Sequence, residues 1–279
     1  MIYKELKMRE VNPNLPETIN DATLYVYAIS KSDHIGIGLE QTHRAVVVLP
    51  GGGYSTTSDR EADPIAFRYL AAGFSVFLLR YSCAPDRYPV QLLQAAAVIG
   101  HIRDNLEEYM VEEDKIAVCG FSAGGHLAAS CGILWKEKII EETLGVPCEH
   151  FRPNGMILCY PVITAGIHSH RGSFYNLLGS DATEEETEAM SLENRVDSDT
   201  CPAFIWHTFQ DKSVPIQNTL LLASAMAEKD IPFEYHVYPE GPHGLALCNR
   251  QTWLQGADSL IYPPAENWMD MSITWMRNL

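Results

Sequence analysis

Gly120-Phe121-Ser122-Ala123-Gly124 fits the pattern G-x-S-x-G. Lying between a β-rich run and a helical one, it has the setting of a serine nucleophile held on a sharp turn. The glycines have a steric purpose, because side chains two residues either side of such a serine would collide with neighbouring backbone. A second element, Pro50-Gly51-Gly52-Gly53-Tyr54, follows an earlier β-rich run. Acyl transfer builds negative charge on a carbonyl oxygen, and amide donors must already face it. Glycine lets the backbone come that close. The donors expected are the amides of Gly52, Gly53 and Ala123, the last being the residue after the serine. One such donor is worth about 2.7–4 kcal/mol of barrier. A phosphate loop would need Gly-Lys-Ser/Thr, which this segment lacks.

A serine hydroxyl needs a base, and the base needs an orienting carboxylate. Asp211 follows a β-rich run at 203–207, and His243 follows another at 233–238. Both fall in loops beyond strand C-terminal ends, where open α/β sheets place their ligands. Glu240 is the poorer acid, since three residues before the histidine it can hardly reach the far side of the ring. Tyr54, Arg60, Tyr81 and Trp206 are candidates to face the substrate. His126, one helical turn after Ser122, reads as a packed helix residue, and His207 as structural. His168 and His170 lack a third ligand at fitting spacing, so no metal and no other cofactor is expected.

The elements that must position these residues alternate. Strands are expected at 2–8 paired with 22–29, and at 45–49, 74–79, 115–119, 155–160, 203–207 and 233–238. Helices are expected at 63–72, 89–108, 126–135, 215–229 and 264–277, with a glycine turn at 120–125. Such alternation gives an α/β fold with a mostly parallel sheet covered on both faces. Residues 161–202 lack a strong strand and read as an insertion of short helices within one domain spanning 1–279. Thr183 and Glu186 have capping-box spacing there.

Composition narrows the classes. The 279 residues carry 20 Lys+Arg and 36 Asp+Glu, a net charge of −16. That charge repels nucleic acid and anionic lipid, so neither partner is expected. No apolar run approaches the ~18 residues of a membrane span. Seven cysteines without a C-x-x-C pair read as buried reduced thiols. Together with an N-terminus lacking the marks of a secretory leader, they lead to an expected cytoplasmic location.

Leu49–Tyr54, Ser58-Asp59-Arg60-Glu61, Gly120–Ala128, Trp206-His207-Thr208 ahead of Asp211, and 239–244 together resemble the acetyl esterase/lipase branch of the α/β-hydrolases, which includes acetylxylan esterases. The chain order Ser122, Asp211, His243 is that of the superfamily. The resemblance spans about residue 20 to the end. It implies an α/β-hydrolase fold and removal of acetyl groups from a sugar ester, with Ser122 as nucleophile, His243 as base and Asp211 as its orienter. Pro50 departs from the hormone-sensitive-lipase-like relatives, which have His before the glycines. Only about 44 residues precede the 45–49 strand, so no large N-terminal cap is expected. An open pocket of that kind suits a bulky polar alcohol, hence a small-molecule or oligosaccharide ester as partner. Assembly into a homo-oligomer stays open. Rival readings are an arylformamidase, a small-peptide hydrolase, a catalytically silent binding protein on the same scaffold, and an interaction module docking through 161–202.

Overall fold

Eight strands build one sheet: β1 (Ile2–Lys7), β2 (Thr23–Ala28), β3 (His43–Leu49), β4 (Ser75–Arg80), β5 (Val111–Phe121), β6 (Gly155–Cys159), β7 (Ala203–Thr208) and β8 (Phe233–Tyr238). The computed structural model describes residues 1–30 and 42–279. Its strand order is β1-β2-β4-β3-β5-β6-β7-β8. The β1–β2 and β2–β4 pairs are antiparallel and every later pair is parallel. A continuous apolar run is what a strand covered on both faces requires. β3 shows it: Ala45, Val47 and Leu49 enter one core layer, Val46 and Val48 the other.

The structure departs from the sequence reading in several places; the helix expected at 264–277, for one, is two, Pro263–Glu266 and Trp268–Asn278. β5 begins at Val111, because its polar start, Glu112 to Asp114, hides a strand that still pairs with His43 across a register shift. The long helix expected at 89–108 is two, Val90–Asp104 and Leu106–Tyr109. Asn105 separates them, and its side chain donates back to the His101 carbonyl at 2.8 Å, a local bond that competes with helix continuation. The turn expected at 120–125 disappears as a separate element, since β5 runs to Phe121 and the helix Ser122–Ile133 starts at the serine itself. A helix at Lys138–Leu144, closed by Gly145, was not foreseen.

The 161–202 segment carries the helices Arg171–Leu178 and Glu184–Glu188 and a 3-10 turn at Leu192–Arg195. Buried Asn218 ties it down. Its Oδ1 accepts the amides of Ile163 and Thr164, and its Nδ2 donates to the carbonyls of His168 and Pro215. Among the described residues before β3 the chain forms β1, β2 and one short helix, Met8–Val11. Among the described residues no helix is long and apolar enough to cross a membrane. All seven cysteines are buried and unpaired.

Candidate active site

β3 and β5 are neighbours, with Leu49 opposite Gly120, so their following turns leave the sheet side by side. That register brings the triple-glycine loop against the serine. Ser122 has φ +53°, a strained conformation for a residue with a side chain. The flanking glycines permit it. A Cβ on Gly120 would sit 2.0 Å from the Gly124 carbonyl oxygen, and one on Gly124 would sit 2.2 Å from that of Leu49.

The loop's carbonyls are held, which aims its amides. Ser58 N–H donates to the Gly51 carbonyl at 2.8 Å and Ser55 N–H to the Gly52 carbonyl at 3.1 Å. In a trans peptide the next residue's N–H points the opposite way. The Gly52 and Gly53 amides therefore face away from these anchors, and neither meets an acceptor among the described residues. Ala123 N–H, in the first turn of its helix, likewise meets no acceptor among the described residues. Gly51 N–H is already committed, to Glu61 Oε2 at 2.8 Å. Gly52 has φ +135°, and a Cβ there would meet the Thr56 carbonyl at 2.2 Å.

His243 joins the serine to a carboxylate. Its Nδ1 is 2.6 Å from Asp211 Oδ2 and its Nε2 is 2.7 Å from Ser122 Oγ. A carboxylate only accepts, so Nδ1 carries the proton and Nε2 accepts from the hydroxyl. Asp211 Oδ1 accepts the amides of Ser213 and Val214, each at 2.9 Å. Burial pushes the Asp211 carboxyl up. Hydrogen bonds from His207 and His243, the charge of His243 and the Val214 amide outweigh it and hold the group well below the usual carboxylate range. Such a set can take a proton from an alcohol while amides wait for an oxyanion.

Three supporting residues escaped the sequence reading in this capacity. Glu61, only 4% exposed, accepts Gly51 N–H on one oxygen and the Tyr160 hydroxyl, at 2.7 Å, on the other. Tyr160 O in turn accepts Ala246 N–H at 2.9 Å, and its ring meets the His243 ring edge-on at 5.1 Å. Burial and the adjacent Glu61 push the Tyr160 hydroxyl well up, so it remains a donor. This chain links the glycine loop to the histidine loop. Its only sequence trace was the Ser58–Glu61 run. His207, read simply as structural, stands behind Asp211, with Nε2 3.3 Å from Oδ2 and 2.9 Å from the Val214 carbonyl.

The four residues expected to face a substrate do other things. Tyr54 is buried and its hydroxyl meets His126 Nδ1 at 2.9 Å. Tyr81 is buried and donates to the Pro50 carbonyl at 2.6 Å. Trp206 lies wholly in the core, stacked on Trp268. Arg60 donates to the carbonyls of Gly244 and Thr252, clamping the loop that follows His243. Large aromatic side chains near a turn were drawn into the core, and the guanidinium found backbone acceptors. His126 is buried between Tyr54 and the Met190 carbonyl, and burial lowers its pKa to about 4. Among the described residues no three His, Cys, Asp or Glu side chains gather as a metal site. A cleft of about 860 Å³ adjoins His243, lined by Phe209, Lys212, Glu240, Pro242 and Tyr262 among others. Phe209 is 67% exposed there.

A family model described as BD-FAE matches residues 37–226. Endo-1,4-beta-xylanase B of Butyrivibrio fibrisolvens is 36% identical over 210 residues, 73% of this chain and 33% of that protein. Acetylxylan esterase of Xylanibacter ruminicola is 28% identical over 232 residues, 81% of this chain and 45% of that protein. The chain thus spans between a third and under half of these curated relatives. An acetyl ester-xyloside bifunctional hydrolase from Caldicellulosiruptor lactoaceticus superposes with a TM-score of 0.82 at 30% identity, covering 99% of this chain and 96% of that one. A carboxylesterase from Lactobacillus plantarum gives 0.80 at 25% identity, covering 100% and 98%.

Proposed function

The chain belongs to the BD-FAE family and has the α/β-hydrolase fold, and from that premise we propose that it is a carboxylic ester hydrolase that deacetylates sugar esters, acetylated xylo- or other oligosaccharides. The observation that carries the proposal is the continuous hydrogen-bonded line Ser122–His243–Asp211 beside unpartnered amides. Ser122 Oγ attacks the acetyl carbonyl as His243 Nε2 takes its proton. The carbonyl oxygen becomes an oxyanion facing the amides of Gly52, Gly53 and Ala123. Asp211 keeps the imidazole in the required tautomer and stabilises the imidazolium. The C–O bond to the sugar breaks, and the sugar oxygen leaves with the proton from His243. Water, deprotonated by the same nitrogen, attacks the acetyl-enzyme; the bond from Ser122 Oγ to the acyl carbon breaks as Oγ takes the proton back from His243, and acetate leaves.

The choice of a sugar alcohol is supported by the relatives, an acetylxylan esterase and an acetyl ester-xyloside bifunctional hydrolase. The test is turnover of acetylated xylo-oligosaccharides, 4-nitrophenyl acetate, 4-nitrophenyl octanoate, N-formylkynurenine and a peptide anilide. Acetyl esters should lead, and Ser122→Ala should lower their turnover by about 10⁴-fold or more. Faster cleavage of the octanoate, the formamide or the anilide would replace the substrate reading. Equal turnover by Ser122→Ala would remove the mechanism.

A further inference from the structure

His170 is a polar group that the proposed reaction leaves unused. It stands at the N-terminal edge of the inserted helix Arg171–Leu178, which is pinned to the glycine loop. Asn176 Nδ2 donates to the Gly53 carbonyl at 2.8 Å. Buried Ser173 has its hydroxyl 3.9 Å from where a Cβ on Gly53 would lie. That hydroxyl is 2.8 Å from His170 Nδ1. Two short steps therefore connect the imidazole to the loop that carries the oxyanion donors. Burial lowers the His170 pKa, with His243 adding to the fall and Asp211 opposing it. The ring is only half-buried. Neutral, with Ser173 donating to Nδ1, it carries its proton on Nε2, and Nε2 has no partner among the described residues.

We propose that His170 is a substrate-binding residue, its Nε2 hydrogen-bonding a hydroxyl of the sugar next to the acetylated oxygen. This rests on the deacetylase reading above. The acetyl methyl group has nothing for an N–H to bind, and the carbonyl oxygen is served by backbone amides. The remaining part of the ester is the alcohol, whose oxygen leaves the acyl carbon with a proton from His243. A sugar presents hydroxyls beside that oxygen, and a simple aryl ester does not. Ser173 sets the ring's orientation, so it acts as a positioning residue for His170.

The experiment measures KM and kcat for mono-acetylated methyl xyloside and for 4-nitrophenyl acetate in wild type, His170→Ala, His170→Gln and Ser173→Ala. His170→Ala should raise KM for the sugar ester by about tenfold, the scale of one lost neutral hydrogen bond in a binding site. Its kinetics on 4-nitrophenyl acetate should change less than about threefold, which also shows that the variant is folded. His170→Gln, with an amide N–H in a similar place, should recover part of the loss, and Ser173→Ala should show a smaller loss with the same substrate bias. Equal losses on both esters, or none on either, would overturn the role of His170 while leaving the deacetylase reading intact. Wild-type protein that cleaves 4-nitrophenyl acetate but not the sugar ester would instead overturn that reading, and this inference with it.

Discussion

At the C-terminal ends of β3, β5, β6, β7 and β8, most polar side chains around Ser122 have protein partners. Asp211 receives two amides and two imidazoles, and Glu61 receives an amide and a phenol. The inserted segment 161–202 meets the same site differently. It brings one imidazole satisfied on one nitrogen, and its surface carries Ile167, 95% exposed, and Tyr175, 60% exposed. A saturated buried network fixes positions, because each unmade bond costs the full desolvation of its group. A half-satisfied group at a rim can exchange its water for a ligand at little cost. The floor is thus suited to chemistry and the insertion to choosing what reaches it.

Four changes test that division, in falling order of effect. Asp211→Asn should lower kcat by about 10⁴-fold, because an amide cannot hold the imidazole in the accepting tautomer. A loss below about tenfold in steady-state kinetics would mean that the floor does not depend on this carboxylate. His126 lies on the seam, between Tyr54 of the floor and Met190 of the insertion. Folded protein keeps it unprotonated down to about pH 4, while the unfolded chain takes up that proton near pH 6.5. The unfolded state then binds more protons in that window, so stability falls as pH drops through it. The contribution is about 3 kcal/mol by pH 4. Denaturant melts of His126→Gln should show a flatter slope between those pH values, and an identical slope would separate seam from stability.

Glu61→Gln follows. It leaves either the Gly51 amide or the Tyr160 hydroxyl without its acceptor. We expect kcat for 4-nitrophenyl acetate to fall about 10²-fold with KM nearly unchanged, the scale of one disturbed oxyanion donor. A double variant with Tyr160→Phe should lose less than the sum of the two. Additive losses would show that the chain from loop to loop carries no coupling. Thr183→Ala should do least. It removes an exposed capping box within the insertion, costing about 1 kcal/mol of stability by thermal melting and leaving the kinetics on aryl acetate alone. A large kinetic effect there would blur the distinction between the two regions.

The fold was readable wherever local pattern and tertiary need agreed. β3, β6, β7 and β8 are unbroken β-rich runs, and the structure keeps their limits within a residue or two. It was less readable at the polar start of β5 and at Asn105, where pairing and a side-chain bond overrode propensity. In the candidate site, Ser122, Asp211 and His243 announced themselves through turn glycines and strand-end positions. Glu61 and Tyr160 did not, because a buried carboxylate looks in sequence like any surface acid. Tyr54, Tyr81 and Trp206 misled in the other direction, since an aromatic near a loop gives no sign of whether it faces in or out.

The sequence by itself determined the order of strands and helices, the glycines that allow Ser122 its positive φ, and the residue types able to pass a proton. These are local properties, set by backbone sterics and side-chain chemistry over a few residues. Only the tertiary structure decided that Gly51 would share a carboxylate with Tyr160, that Arg60 would clamp the histidine loop, and that His170 would arrive beside Gly53. Those outcomes depend on which segments, 99 to 184 positions apart in the bonds of Glu61, Gly53 and Arg60, the sheet order makes neighbours, and on the demand that every buried polar group find a partner there.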